Sequence, residues 1–366
     1  MSAPRIVFLV HGRSNSIEAA RARGLSQNHP ADQVHFLWRE TSRLATGKMW
    51  HRKIQTLTPD LIYVINTALP GALLACGWPW RHDLPFVLDT GDVVYEMARQ
   101  AGTTPAWKQP LLRWVESRAQ RLAHTIVVRG TRHQEYLRAQ GHPRVALIRD
   151  GYLPTPEPDP AQLQSLRERL GLAQKWVVGV LGSLVFSPRL GICYGWDLIQ
   201  ALAELRDTPW HGLVIGDGPG QNWLEAQARL QGVAERVTFC GRIPHAEVPV
   251  YLGLLDVALS TQTNNLPGQV RTTGKLAEYL GAQRFMLASR VGEAALLLPA
   301  AMLIDYAGAV DLEYPRKLAA RLRQLWKNPA ELELRQALRE VAEKNCAYPV
   351  LAKQFDAVVA AATSRS

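Results

Sequence analysis

Between Trp176 and Pro299 one pattern recurs: a short apolar run, a glycine turn, then residues at helical spacing. WVVGVLGS (Trp176 to Ser183) opens the series, and HGLVIGDGPG (His211 to Gly220) repeats it. VTFCGRIP (Val237 to Pro244) supplies a third run and turn, and DVALS (Asp256 to Ser260) a fourth. TTGKLAEYLGAQRFMLAS (Thr272 to Ser289) adds a helix start, an acidic residue at mid-helix and another strand. Alternating strands and helices imply a parallel sheet. Ligands on such sheets sit at the carboxyl ends of the strands, where these glycines fall. Glycine there lets the backbone approach a ligand closely.

The N-terminal half alternates in the same way. RIVFLV (Arg5 to Val10) reads as a strand, HGRSN as a loop, and Ser16 to about Gln27 as a helix. Ser16 with Ala19 in place of an acidic residue is half a capping box. Strands are expected at VHFLW, LIYVI, PFVLD, TIVV and RVALI, with the clearest helices at Pro110 to Ala123 and Thr131 to Gln140. At 366 residues the chain is long for one core and suits two domains. Prolines at 154, 156, 158 and 160 mark an extended, semi-rigid connector between them. After Asp305 the pattern is mostly helical: Tyr314 to Asn328, a helix beginning near Pro329, and a last one from about Tyr348.

The composition, 47% apolar and 20% charged, is that of an ordinary globular protein. Cysteines at 76, 193, 240 and 346 are too scattered for a metal knuckle or redox pair and read as free thiols in a reducing compartment. The longest uncharged stretch, Leu61 to Trp80, nearly reaches the length of a membrane span. It is broken by Asn66, Thr67, Pro70, Gly71, Gly77 and Pro79, so LIYVI reads as a buried strand, NTALPG as a loop and ALLAC as helix. MSAPRIVFLVHG has too short an apolar run for a signal peptide. No H-E-x-x-H, Walker A or G-x-S-x-G pattern occurs, and the histidines do not cluster at metal spacing.

The ordered set of glycine turn, GDGP, F-x-G-R, the D-V-A-L strand and K-L-x-E-Y-L resembles the family 4 glycosyltransferases of the GT-B fold. The resemblance covers most of the chain and is densest from about 176 to 300. It implies two Rossmann-like parallel-sheet domains facing a central cleft. Residues 1–150 would form an acceptor-binding domain, 151–175 the linker and first helix, and 176–345 a nucleotide-sugar-binding domain. The last helix, 346–366, would cross back onto the first domain. It further implies glycosyl transfer from a nucleotide diphosphate sugar to a hydroxyl acceptor, with retention of configuration and no metal or other cofactor. Expected acceptors are glycolipids or saccharides built at the inner, cytoplasmic face of a membrane, not nucleic acid. A GT-B nucleotide-sugar epimerase and a catalytically silent sugar-nucleotide-binding protein stand as alternatives.

A diphosphate needs several donors, best supplied by backbone N–H groups at the positive end of a helix. Thr273, Gly274 and Lys275 begin the helix carrying Glu278 and fit that task, or they cap an ordinary surface helix. Lys275 adds a charge. Glu278 matches the family's second paired glutamate, which accepts hydrogen bonds from the ribose hydroxyls. By resemblance, Gly182, Ser183 and Gly216 line the strand ends, and the backbone of Arg242 and Ile243 pairs with the base.

On the donor side the sequence departs from the family at three places. The first paired glutamate is replaced by Val270, leaving Arg271, Asn264 or Asn265 as substitutes for sugar contacts. The arginine and lysine that offset diphosphate charge are Ser183 and Tyr194 here, with Arg189 a candidate replacement in the intervening loop.

On the acceptor side, Gly12 and Arg13 in HGRSN either meet a phosphate or acceptor or simply turn the chain. In DTGD, Gly91 stands where the family has histidine. Asp92 either takes a proton from the acceptor, orients the sugar, or caps the helix near Val93 to Gln100.

Residues 1–150 hold 20 Lys/Arg against 11 Asp/Glu, a net +9, whereas the rest is +1. A basic half attracts an anionic membrane surface, nucleic acid or an acidic substrate, or is plain solvated surface. The stretch His35 to Lys53, with Trp38 and Trp50 among five Lys/Arg, suits a membrane interface or a helix that packs a tryptophan inward.

Overall fold

Runs such as IVFLV and LIYVI have no polar face, so they must lie in a sheet covered on both sides. In the computed structural model, Ile6–Val10 (β1), Val34–Trp38 (β2), Leu61–Ile65 (β3), Phe86–Thr90 (β4), Thr125–Val128 (β5) and Val145–Leu147 (β6) form a parallel sheet in the order β2-β1-β3-β4-β5-β6. All five residues of β1, β3 and β4 are buried. The structure describes residues 3–67, 69–77, 83–102, 104–154 and 156–364. Ala68 of the NTALPG loop, Trp78 to Trp80 of the uncharged stretch and Thr155 of the connector lie outside the described residues.

The second sheet is built from Trp176–Leu181 (β7), Trp210–Ile215 (β10), Val237–Gly241 (β11), Val257–Ser260 (β12), Phe285–Ser289 (β13) and Leu303–Ile304 (β14). Between β7 and β10, Phe186–Ser187 (β8) and Ile192–Cys193 (β9) pair as a small antiparallel hairpin that the sequence pattern did not suggest. The order β11-β10-β7-β12-β13-β14 reverses the direction of winding between β7 and β12. In the first sheet the reversal lies between β1 and β3. Such switch points open a crevice at the carboxyl ends of the strands.

Helix ends follow the local chemistry. Ser16 Oγ accepts from the Ala19 N–H (3.2 Å) and starts Ile17–Leu25. The segment expected as a helix from Pro329 is instead a 3-10 stretch, Pro329–Ala337, leading into the α-helix Leu338–Asn345. Among the described residues no helix is long and apolar enough to cross a membrane.

The last helix, Tyr348–Thr363, leaves the second domain and completes the core of the first. Phe355 is fully buried, its ring centroid 5.7 Å from Phe8 and 5.2 Å from Tyr63. Beneath the β4 and β5 ends, Asp89 accepts from Arg21 Nε (2.8 Å), Tyr63 Oη (2.8 Å) and Arg129 Nε (3.1 Å). Burial pushes the Asp89 carboxyl up, but the two guanidinium groups outweigh it and hold it below its ordinary value.

The aromatic stretch His35 to Lys53 turns inward. Trp50 is buried and its Nε1–H donates to the Trp38 carbonyl (3.2 Å), while Trp38 stacks on Phe36 under the Arg23 guanidinium. One tryptophan, Trp50, thus packs inward from its helix, as one of the two readings of this stretch expects.

If the last helix is part of the first domain's core, Phe355→Ala leaves a cavity against Phe8 and Tyr63. It should destabilise the protein by about 3–5 kcal/mol in denaturant unfolding. A loss within about 0.5 kcal/mol, the scale of surface substitutions, would mean the helix is only loosely attached.

Candidate functional site

Three strand ends of the second sheet are held together by backbone alone. The Gly182 N–H donates to the Ile215 carbonyl and the Gly216 N–H to the Gly241 carbonyl, both at 2.9 Å. Gly182 and Gly216 have φ of 144° and 130°, a region closed to side chains. A methyl group at Gly216 would also collide with the Gly182 carbonyl. The GDGPG loop folds over Leu184, which donates to the Asp217 carbonyl (2.9 Å) and accepts from the Gly220 N–H (2.8 Å). Ser183 and Arg242 are exposed at this surface, and Ile243 is half-buried against the domain core.

The helix Gly274–Gly281 approaches the same strand ends. Its N-cap, Thr273, makes no side-chain capping bond. Lys275 lies at the Gly182 turn, with its ammonium 3.3 Å from the ring centroid of Tyr194. Burial, then Arg271, draws the Lys275 ammonium well below its ordinary pKa. The Tyr194 hydroxyl donates to the Leu259 carbonyl on β12 (3.2 Å). Tyr279 Oη accepts from the Leu181 N–H at the end of β7 (2.7 Å). One turn along, Glu278 Oε1 lies 3.1 Å from His245 Nε2, and this bond raises the imidazole above its usual pKa. Sequence reasoning missed His245, whose signal was its place in the turn after F-x-G-R.

Across the gap, the HGRSN turn faces this helix: a Cβ at Gly274 would lie 2.9 Å from Ile17 Cδ1. Gly12 is tucked against Ser16 and Glu18, and Arg13 is exposed. His11 shares a 3.0 Å hydrogen bond with Arg39, and burial, then Arg39 and Arg43, lowers its pKa to about 4.

Asp92 does not cap the helix Val94–Ala101. That task falls to Glu116, whose carboxylate accepts from the N–H groups of Val94 (2.7 Å) and Tyr95 (3.0 Å). Asp92 instead pairs with Arg271 Nε of the other domain at 3.2 Å. Gly91 leaves room for Arg129: a Cβ there would be 2.9 Å from Arg129 Cδ.

Other expected substitutes are otherwise engaged. Arg189 reaches over to the first domain and donates to the Arg99 carbonyl (2.9 Å). Asn265 Oδ1 caps the Gly268 N–H, and Asn264 bonds the Tyr306 carbonyl and Gln269, so both shape their own loop. Val270 is buried.

The strongest cross-domain contact was not anticipated. Glu293, after β13, is buried and accepts from the Thr131 N–H (2.7 Å), Thr131 Oγ1 (3.1 Å) and Arg149 Nε (2.6 Å) of the first domain.

Residues 176–328 match the model of the family described as Glycosyl transferases group 1. A 2-deoxystreptamine glucosyltransferase of Streptomyces kanamyceticus is 35% identical over 108 residues, 28% of this chain and 26% of that protein. A GDP-mannose-dependent alpha-(1-6)-phosphatidylinositol monomannoside mannosyltransferase of Mycolicibacterium smegmatis is 38% identical over 126 residues, 34% of this chain and 30% of that protein. The matched stretch thus spans less than a third of the length of these relatives. Among solved structures, Anabaena HepE in complex with UDP-glucose superposes with a TM-score of 0.77 at 17% identity, covering 98% of this chain and 100% of that chain. WaaG, a glycosyltransferase involved in lipopolysaccharide biosynthesis, gives 0.68 at 16% identity, covering 96% and 99%. The likeness extends over both sheets and the returning helix, and the architecture is the GT-B fold.

Glu293→Ala would strand the Arg149 guanidinium, of which 18% is exposed, and uncap the helix Thr131–Ala139. Removing one partner of such a buried pair costs about 3–5 kcal/mol, which denaturant unfolding should register. A variant as stable as the parent would show that the domains do not depend on this contact.

Proposed function

We propose, because residues 176–328 match the model of the group 1 glycosyl transferases, that the protein transfers a sugar from a nucleoside diphosphate sugar to a hydroxyl acceptor. The observation that supports this reading is the convergence of the Gly182 and Gly216 turns, the Thr273–Lys275 helix start and Glu278 at one switch point. In the proposed reaction the acceptor oxygen bonds to the anomeric carbon as the bond from that carbon to the diphosphate oxygen breaks. The acceptor proton passes to Asp92 or to the departing phosphate, and configuration is retained. Negative charge grows on the diphosphate, where the helix N–H groups and Lys275 would offset it. Glu278 would accept from the ribose hydroxyls, with His245 steadying its carboxylate. Beyond donor and acceptor the scheme calls for no further cofactor.

The test is incubation with a panel of uridine and guanosine diphosphate sugars, followed by nucleotide release and calorimetric binding. Glu278→Ala should weaken nucleotide affinity about ten- to a hundredfold, the worth of hydrogen bonds to a charged group. Isomerised sugar without acceptor would favour the epimerase reading, and binding without turnover the silent one. Unchanged affinity in Glu278→Ala would remove Glu278 from the site.

The acceptor is proposed to be lipid-linked, and the first domain to dock on an anionic bilayer. The helix Gln109–Leu122 and the turn before it expose Trp107 (77%), Leu111 (53%), Trp114 (44%) and Leu122 (49%). Lys108, Arg113, Arg118 and Arg121 surround them, and the one acid of the segment, Glu116, points inward and is buried. Aromatic and aliphatic groups framed by cations suit the headgroup boundary of an anionic membrane. The same helix holds the N-terminus of Val94–Ala101 through Glu116, beside Asp92, so docking would bring the acceptor side to the lipid surface. The protein should sediment with phosphatidylglycerol vesicles and much less with phosphatidylcholine ones. Raising salt from 0.1 M to 1 M, which shortens the screening length from about 10 Å to about 3 Å, should release most of it. Trp107→Ser with Trp114→Ser should abolish the salt-resistant remainder. Equal, negligible sedimentation with both vesicle types at low salt would overturn membrane docking and leave this face to a protein partner.

A further inference from the structure

Two cations expected around the diphosphate are absent from their usual positions, Ser183 and Tyr194. The structure brings another cation to the second of them. Lys275 extends from the helix Gly274–Gly281 until its ammonium stands 3.3 Å over the Tyr194 ring. The ring is fixed in place. Its hydroxyl donates to the Leu259 carbonyl and shares a hydrogen bond with Tyr279, which in turn holds the Leu181 N–H. Leu259 belongs to β12 and Leu181 ends β7, so the ring spans the switch point of the second sheet. A Cβ at Gly182 would lie 3.5 Å from Lys275 Nζ and 3.7 Å from Tyr194 Cε1, which puts both groups at the same strand end. Among the described residues no carboxylate pairs with Lys275. A half-buried ammonium facing only a ring is incompletely compensated, because a ring quadrupole attracts a cation more weakly than an anion does.

We propose that Lys275 and Tyr194 act as one unit that replaces the missing loop lysine: the helix supplies the cation, and the tyrosine ring holds it where the donor diphosphate binds. Tyr194 is a positioning residue in this scheme. It touches Lys275 rather than the donor. The charge is thus the same as in the family pattern but arrives from the opposite wall. This inference rests on the proposed donor reading, and the experiment separates the two.

Uridine and guanosine diphosphate binding to the full chain is measured by titration calorimetry for the parent and four variants. Lys275→Leu should lose about ten- to a hundredfold in affinity, the scale of a charge-assisted contact. Tyr194→Phe keeps the ring and should stay within about twofold. Tyr194→Leu removes it and should lose about three- to thirtyfold, the worth of a cation–ring contact. The exchange Lys275→Leu with Tyr194→Lys returns the cation to the loop and should recover most of the affinity that Lys275→Leu loses. Recovery by a relocated charge is a readout that a merely structural role would not give. Unliganded melting curves show which variants are folded. If Tyr194→Leu is not, the Phe variant and the exchange still decide. A parent that binds neither nucleotide overturns the donor reading. A parent that binds, with Lys275→Leu binding equally well or the folded exchange recovering nothing, overturns this inference alone.

Discussion

Every hydrogen bond found on the Glu293 side-chain oxygens comes from the opposite domain. The carboxylate is buried at the end of β13, yet it caps the helix Thr131–Ala139 and pairs with Arg149. An isolated buried carboxylate is costly, so the second domain is complete only when the first supplies these donors. Two further ties across the gap are of a different kind. Asp92 with Arg271 and Arg189 with the Arg99 carbonyl involve partly or fully exposed groups. Exposed pairs contribute about 0–1 kcal/mol each. The contacts thus form a hierarchy: a buried pivot at Glu293, and weak clasps at the DTGD turn and the β8–β9 hairpin.

Most of the architecture was legible in the sequence because it is set by local pattern. Apolar runs of five or six residues, ended by a glycine turn in β1, β7 and β10 and by Asn66 in β3, marked these strands to within a residue. The hairpin β8–β9 was not legible, since two-residue strands carry no period. Nor was the 3-10 character of Pro329–Ala337, because periodicity does not separate one helix type from another over so short a span. For the site, the glycine turns and the helix bearing Glu278 could be named because their backbone needs are written in residue type. What the side chains at the gap actually touch could not be. Asp92 had three readings in sequence, and the capping one failed only because Glu116, twenty-four residues away, already occupies the helix end.

That case belongs to a wider pattern in this chain. Several positions that depart from the family expectation are matched by a side chain from another element filling the vacated space. Gly91 stands where histidine is expected, and Arg129 packs over it while bonding Asp89 and Asn66. Tyr194 stands where lysine is expected, and the Lys275 ammonium lies on its ring. In each pair the position that changed and the position that answers are distant in sequence and adjacent in space. A motif read position by position scores such a chain as having lost its charges. Electrostatics acts over distance and not over sequence, so a cation arriving from the facing wall would serve an anion at the Gly182 turn as well as one from the loop. The charge at a strand end is therefore a property of the space the glycines leave open, and it is conserved there only if the whole set of elements bordering that space is counted.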